Sequence, residues 1–427
     1  MRRVLSLIAR LACTLLLRRV EVADRSRLPK GRPILLVANH FNGFVDALVI
    51  ASVLPRSPRF IAKATLRKVP ILGAVAEVGG VVFVRRAQDA SGPTGNEEAF
   101  AACHAALKKR DTIAIFPEGT THDRPHIDPI KTGAARIALG ARAAGATNIA
   151  ILPVGLTFPD KVALRTSALV QLGDAIDLDT VCSGDVGPSD EKAVRALTAV
   201  IDAGVRAVSP DFADIETALA MEQAAQITLS SEARPDPTLE DRYDLTRRLG
   251  QVSARTRAAV SRDVGRYNTL LNGLRLTDAD VITPTNPTRL LRAALRIAVL
   301  VVVLGFITTA TALVNVWPAA LVMGASLLVR TPVSKGTIRA VVGIVAFPAA
   351  WVIAATLTAD GFVACSLVVL SAAVGAVAAL WLVERAVALT MMLLRWRAQL
   401  ERIGTVEQAE ALRAEVVATT RKAVGDL

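Results

Sequence analysis

The amino-acid sequence predicts an α/β domain built on a largely parallel sheet, followed by a helical accessory segment and C-terminal transmembrane helices. Three observations carry this reading. Up to about residue 178, short apolar strand-like runs alternate with helical segments, the pattern of a parallel layer. From 183 to 288 the chain turns polar and helix-prone between proline-containing breaks. After Arg296 no charged residue occurs until Arg330, a stretch of 33 residues, where about 20 suffice to cross a bilayer.

Composition narrows the partners. With 52% hydrophobic residues and a mean hydropathy of +0.44, the chain is too apolar for an ordinary soluble protein, and the excess is concentrated after Arg296. A formal net charge of +12 suits nucleic acid, anionic lipid or phosphorylated substrates. Aromatic residues make up only 4%, scarce for base stacking, and no nucleic-acid-binding signature is found. Membrane lipids are therefore the expected partners and nucleic acid is not. Cys13, Cys103, Cys182 and Cys365 lie far apart and form no CxxC pair, which argues against a disulfide framework or a zinc site and fits a reducing cytoplasm.

Taken in order, segment 1–20 places Arg2, Arg3, Arg10, Arg18 and Arg19 among leucines, valines and isoleucines, as in an amphipathic helix lying on a membrane surface. A cleaved secretory signal is the alternative. Against it, Arg10 interrupts the apolar stretch, and Arg18 and Arg19 stand where a small-residue cleavage site is needed. Segment 21–182 is the α/β domain. Its expected strands are 34–38, 59–62, 81–84, 112–116, 150–154 and 169–172, with helices at 47–53, 97–109 and 133–144. Sites in such sheets gather at the carboxyl ends of the strands.

Segment 183–288 opens on the break SGDVGPSDEK and is read as a helical accessory region with no chemistry of its own. Segment 289–397 holds three to four membrane-crossing pieces. Pro318 is expected to divide 297–329, and 340–359 and 361–383 form a hairpin about Asp360. Basic clusters at Arg289, Arg292 and Arg296, at Arg330, Lys335 and Arg339, and at Arg385, Arg395 and Arg397 all reach the cytoplasm only if the crossings are even in number. That favours four, with the piece after Pro318 the weakest. Segment 398–427 reads as a solvated cytoplasmic helical tail.

The chemistry centres on NHFNGFVD, residues 39–46, directly after the apolar run 34–38. Asn42 and Gly43 mark a tight turn, so His40 sits at the lip of a strand a few residues from Asp46. A carboxylate on one imidazole nitrogen fixes the tautomer and leaves the other nitrogen to take a proton from a hydroxyl, the outline of a general base. A loop histidine that merely caps a strand end is the plainer alternative. Three further blocks follow. GVVFVRR at 80–86 ends in Arg85 and Arg86, either of which offers a planar fork to phosphate oxygens, although a strand ending in arginines is ordinarily a solvated edge. FPEGTT at 116–121 puts Glu118 at a strand end through a Pro/Gly turn. KTGA at 131–134 opens a helix whose free N–H groups, with Lys131, can bind an anion. His122, Asp123, His126 and Asp128 form a rival metal reading, opposed by Pro125 and Pro129, which break the helix that would align the histidines.

In this order HxxxxxD, GxxFVxR, FPEG and a late Pro-Val pair at Pro153 and Val154 resemble the glycerolipid acyltransferase family, which includes glycerol-3-phosphate and lysophosphatidate acyltransferases. The resemblance covers roughly residues 32–174. It implies a membrane-associated α/β domain that transfers an acyl group from a thioester, acyl-CoA or acyl carrier protein, to a glycerol-phosphate hydroxyl, with no other cofactor. It implies His40 as base, Asp46 as its orienting carboxylate, Arg86 and Glu118 as acceptor-binding residues, Gly119 shaping the turn and Lys131 near the phosphate. Five residues separate His40 from Asp46 where the commonest family pattern has four. The longer spacing, with HDRPHIDPIKTGAARIAL from His122, looks more like the branch containing fungal-type glycerol-3-phosphate and dihydroxyacetone-phosphate acyltransferases. Gly43 is the residue able to absorb the extra position in the turn.

The residues support the same reaction. A thioester is already activated, so the protein must position the hydroxyl, remove its proton and stabilise the oxyanion. No cysteine lies in the blocks and no GxSxG occurs, which leaves direct transfer. Glycerol-3-phosphate or dihydroxyacetone phosphate is the expected acceptor, with lysophosphatidate next. A transporter and a non-catalytic lipid-binding protein are the rivals. The first is opposed by the lack of ionisable groups within 297–329, 340–359 and 361–383, which read as an anchor.

Overall fold

The structure is a computed structural model that describes residues 1–68, 72–85, 95–163, 165–184, 186–231, 233–283, 286–401 and 403–425. The chain divides into two compact units, Met1–Asp211 with Val329–Val341, and Phe212–Leu328 with Val342–Leu427.

In the first unit the elements follow as α1 (Arg2–Leu16), β1 (Arg19–Ala23), β2 (Ile34–Ala38), α2 (Phe44–Val53), β3 (Arg59–Lys63), α3 (Leu72–Val78), β4 (Val82–Val84), α4 (Glu97–Lys108), β5 (Thr112–Ile115), α5 (Gly133–Ala143), β6 (Ala150–Thr157), β7 (Ser167–Leu172), β8 (Ile176–Asp177), α6 (Leu178–Val181) and α7 (Glu191–Val208). The strands form one sheet in the order β1-β7-β6-β2-β5-β3-β4, with β8 on β6. Pairing is parallel throughout, except that β7 and β8 run antiparallel to β6.

Strand β2 is central because it is apolar on both faces. All five of its residues are buried, as a strand covered by helices on both sides requires. Leu35 and Val37 enter one cluster with Leu107 of α4, Ile137 of α5 and Ile201 of α7. Ile34, Leu36 and Ala38 enter the opposite cluster with Cys13 of α1 and Val45 and Val49 of α2. Each such fully buried leucine contributes about 1.5–3 kcal/mol.

All six expected strands are present, with ends shifted by a few residues, and the three expected helices correspond to α2, α4 and α5. Two differences follow from tertiary packing. β1 adds an edge strand where only a helix was expected up to residue 20, and it is held by parallel pairing with β7. The expected boundary at 182 falls inside the first unit, because Val194, Leu197, Ile201 and Val205 of α7 are buried in the sheet's core. Helix α1 buries Ala9, Ala12 and Cys13 and exposes Val4, Leu7, Ile8 and Leu11, so one apolar face points away from the sheet.

The second unit holds α8 (Ile215–Leu229), α9 (Leu239–Gln251), α10 (Ala254–Leu274), α11 (Asp278–Ile282), α12 (Pro287–Leu328), α13 (Pro332–Thr358, of which the part after Val341 belongs here), α14 (Phe362–Glu401) and α15 (Ile403–Gly425). Among the described residues three helices are long and apolar enough to cross a membrane: Pro287–Leu328, Ser334–Thr358 and Phe362–Ala398. Pro318 does not divide the first; it lies inside α12, which continues through it. A proline removes one intrahelical hydrogen bond, and a helix with packed neighbours accommodates this. Helix α14 supplies that neighbour. A Cβ on Gly375 would fall 1.9 Å from Thr311 Oγ1, so the two helices approach closely there. Asn315 donates to the Ala372 carbonyl at 3.0 Å and accepts from Trp351 Nε1 at 2.9 Å. The tail is helical as expected but not solvated all round. Ala409, Val416 and Ala423 of α15 are buried with Met221, Ala225, Val264 and Tyr267 of α8 and α10.

Candidate active site

The site forms where β2 ends. Asn39 is buried and fastens that end to β6, donating from Nδ2 to the Leu156 carbonyl at 2.8 Å and accepting the Leu156 N–H at 2.6 Å. His40 follows, at the carboxyl end of the central strand. Its ring stacks on Phe116 with centroids 4.0 Å apart, and Phe116 in turn stacks on Phe60. Gly43 then turns the chain at φ +57°, a conformation that favours glycine, and α2 begins. The turn absorbs the fifth spacer residue. Asp46 in the first turn of α2 reaches back so that its Oδ2 lies 2.9 Å from His40 Nδ1 and accepts the Asn42 N–H at 2.8 Å.

Asp46 is fully buried at 0% exposure, in the first turn of α2. With Nδ1–H donating to the carboxylate, Nε2 is left as the basic nitrogen. The His40–Asp46 pair expected from the sequence is therefore assembled.

Glu118 is brought beside it, in surroundings that do not match the expected acceptor-binding role. Its side chain is closed off from solvent. Oε1 accepts the His40 N–H at 2.8 Å, and Oε2 accepts the Asp128 N–H at 2.9 Å and meets His122 Nε2 at 2.6 Å. Buried carboxylates require such partners, and these make Glu118 a latch between the β2 end and the 122–128 loop. Gly119 closes the turn at φ +72°, its N–H donating to the Phe116 carbonyl at 3.1 Å. Lys131 lies against it. The Lys131 N–H donates to the Pro117 carbonyl at 3.0 Å, and a Cβ on Gly119 would fall 2.7 Å from Lys131 Nζ.

Arg86 lies outside the described residues. Arg85 is described, and its backbone is fastened to Asn96 in both directions, at 2.8 and 2.7 Å. Sequence reasoning missed Lys161. Its Nζ pairs with Asp123 at 3.0 Å, lies within 3.5 Å of the carbonyls of Phe41 and His122, and sits 5.5 Å above the Phe41 ring. No local motif marks it. The Glu118–His122 contact did have a signal, the four-residue spacing within FPEGTTH.

Among the described residues Glu118, His122 and Asp128 bring one potential metal-ligating atom each within 4.8 Å of one another. Asp123 and His126, which the rival metal reading of the sequence included, are not in this group. Both Glu118 oxygens already accept hydrogen bonds from the protein, so the latch accounts for the cluster. Cys103 on α4 is the cysteine nearest in sequence to the blocks. Burial pushes its thiol up to about 12 against the pull of Arg59, which leaves it protonated and unreactive at neutral pH.

The structure is a mostly parallel α/β layer with a half-buried histidine held against a buried aspartate at the carboxyl end of its central strand. Residues 19–157 match the family model "Acyltransferase", and this segment is an acyltransferase-family domain. The chain is 31% identical over 156 residues to glycerol-3-phosphate O-acyltransferase 2 of Saccharomyces cerevisiae, which covers 36% of this chain and 21% of that protein. It is 36% identical over 135 residues to lyso-ornithine lipid O-acyltransferase of Brucella abortus, covering 31% and 47%. It is 28% identical over 210 residues to 1-acyl-sn-glycerol-3-phosphate acyltransferase of Neisseria gonorrhoeae, covering 44% and 76%. The match thus spans less than half the length of the first two of these relatives.

Proposed function

We propose that the protein is a membrane-bound O-acyltransferase that moves a fatty acyl group from acyl-CoA or acyl carrier protein to a glycerol-phosphate-type acceptor, glycerol-3-phosphate or dihydroxyacetone phosphate. The observation that carries this reading is the 2.9 Å contact of His40 Nδ1 with buried Asp46 inside the acyltransferase segment. The acceptor hydroxyl gives its proton to His40 Nε2 as its oxygen attacks the thioester carbonyl. The tetrahedral oxyanion collapses, the C–S bond breaks, and the leaving thiolate takes the proton back from the imidazolium. Asp46 holds the ring in the productive tautomer throughout. The stacked Phe116 fixes the ring plane, and Glu118 fixes the backbone beneath it. Arg86 and Lys131 are assigned to the acceptor phosphate.

The acceptors named among the relatives differ, so lysophosphatidate is the second acceptor to weigh. Release of free thiol from acyl-CoA, measured against a panel of glycerol-3-phosphate, dihydroxyacetone phosphate and lysophosphatidate, decides among them. Binding of lysolipid with no thiol release would make the protein a non-catalytic lipid binder, and solute flux in proteoliposomes without an acyl donor would revive a transporter.

The catalytic segment is assigned to the cytoplasmic face of the inner or plasma membrane. Helices α8 and α10 precede the apolar helices and α15 follows them, yet they share one core. Segments packed together lie on one side of a bilayer, which supports an even number of crossings between residues 287 and 401, so that not all three of the long apolar helices cross.

A further inference from the structure

Helix α2, which carries Asp46, has no cap of its own. Gly43 stands at its N-cap and offers no side chain; the Val45 N–H is met by the Asn42 carbonyl at 3.1 Å, which leaves the Phe44 N–H to find an acceptor elsewhere. Phe44 finds one 293 positions along the chain, donating its N–H to Thr337 Oγ1 at 3.1 Å. Thr337 lies near the start of α13, in the Val329–Val341 piece that belongs to the first unit.

The fit is reciprocal. A Cβ on Gly43 would fall 2.5 Å from Thr337 Oγ1, and a Cβ on Gly336 would fall 2.6 Å from Asn42 Oδ1 and 3.5 Å from Val45. Two glycines thus interlock with two polar side chains. One turn further on, Ala340 is fully buried in the cluster that contains Val45 and Val49. Both contacted positions, Asn42 and Gly43, belong to the five-residue spacer between His40 and Asp46, and the Asn42 N–H holds Asp46 Oδ2.

We propose that Thr337 is a positioning residue for the His40–Asp46 pair. The start of a membrane-type helix supplies in trans the cap that α2 lacks, and so aims the Asp46 carboxylate at the imidazole. Thr337 touches the Phe44 backbone and the spacer, and acts through them. The inference rests on the dyad reading of the proposed function. It adds to that reading a residue outside the acyltransferase segment.

The test uses full-length protein in lipid nanodiscs with acyl-CoA and the acceptor that gives the fastest thiol release. Thr337→Val removes the acceptor oxygen and is expected to lower kcat on the order of tenfold with the KM for acyl-CoA within about twofold. Thr337→Ser restores an acceptor oxygen and should recover most of the lost rate. Gly336→Ala favours the helix intrinsically but drives a methyl into Asn42, and should lower kcat as Thr337→Val does. In an Asp46→Asn background Thr337→Val should cost nothing further, because the residue it positions is gone. Wild-type kcat in Thr337→Val, or a full additional loss in the double variant, overturns the proposal. His40→Ala is run alongside: if it keeps its turnover, the dyad reading itself has failed and not the role of Thr337 alone.

Discussion

The backbone N–H of His40 donates to Glu118 Oε1 at 2.8 Å, joining the end of the central strand to a turn 78 residues later. The same carboxylate holds His122 and the Asp128 N–H, so the position of His40 and the shape of the loop beyond it are set together. Replacing Glu118 tests this. Glu118→Ala orphans buried donors at about 1–3 kcal/mol each, and the unfolding midpoint of the purified protein should fall by several degrees. Glu118→Gln keeps one acceptor oxygen and should fall less. Equal midpoints for wild type and Glu118→Ala would show that the latch bears no weight.

The dyad makes a kinetic prediction. His40→Ala should lower kcat by about 10²- to 10⁴-fold, the scale for loss of a general base, and Asp46→Asn should cost a comparable factor. On the proposed mechanism the two residues act as one unit, so the double variant should be little slower than the slower single variant. Strictly multiplicative losses in steady-state thiol release would separate their roles.

Gly119 is held at φ +72° with the Lys131 ammonium where a methyl group would go. Gly119→Ala therefore meets both a backbone penalty of about 1–3 kcal/mol and a displaced lysine. With Lys131 assigned to the acceptor phosphate, the KM for the acceptor should rise more than the KM for acyl-CoA. A change confined to the donor KM would contradict the assignment of Lys131.

Asp111 accepts from Arg59 at 2.9 Å and pairs with Arg2 of α1 at 2.5 Å, tying α1 to the sheet. Burial works against its charge, but the hydrogen bonds from Arg59, Arg2 and the Thr112 N–H outweigh it and hold the carboxyl below the usual carboxylate range. A carboxylate depressed in the folded state adds stability above its unfolded pKa, about 4, and loses it as pH falls through the lower folded value. Asp111→Asn should thus lower the unfolding midpoint at pH 7 and flatten its decline below about pH 4. An unchanged acid limb in thermal scans would assign that decline to other groups.

The shared core of α8, α10 and α15 predicts that the two ends of the apolar region face the same side. Single cysteines at Asn286→Cys and Gln408→Cys, introduced into a chain with Cys365 removed, should react with an impermeant thiol reagent from one side only, and from the same one. Labelling from opposite sides would require an odd number of crossings.

The central strand, the His40–Asp46 spacing and the FPEG turn were readable because each is local. A run of five apolar residues followed by Asn-Gly needs no distant partner to specify a buried strand and a turn. The α15 core was not readable by the same means. Its buried positions are Ala409, Val416, Thr420 and Ala423, and two alanines and a threonine add so little hydropathy that the charged residues between them dominate the pattern. Pro318 misled in the other direction, since a proline signals a break unless neighbouring helices hold the segment together.

By itself the sequence determined the α/β layer, the presence of long apolar segments after Arg296 and the closeness of His40 to Asp46, all of which depend on residues within a few positions of one another. Only the tertiary structure decided what surrounds them: Glu118 as a buried latch, Lys161 beside Phe41, and Thr337 at the head of α2. Those contacts join residues 78, 120 and 293 positions apart. Separations of that size leave no periodicity or spacing in the chain, because they are fixed by which surfaces meet when the core closes.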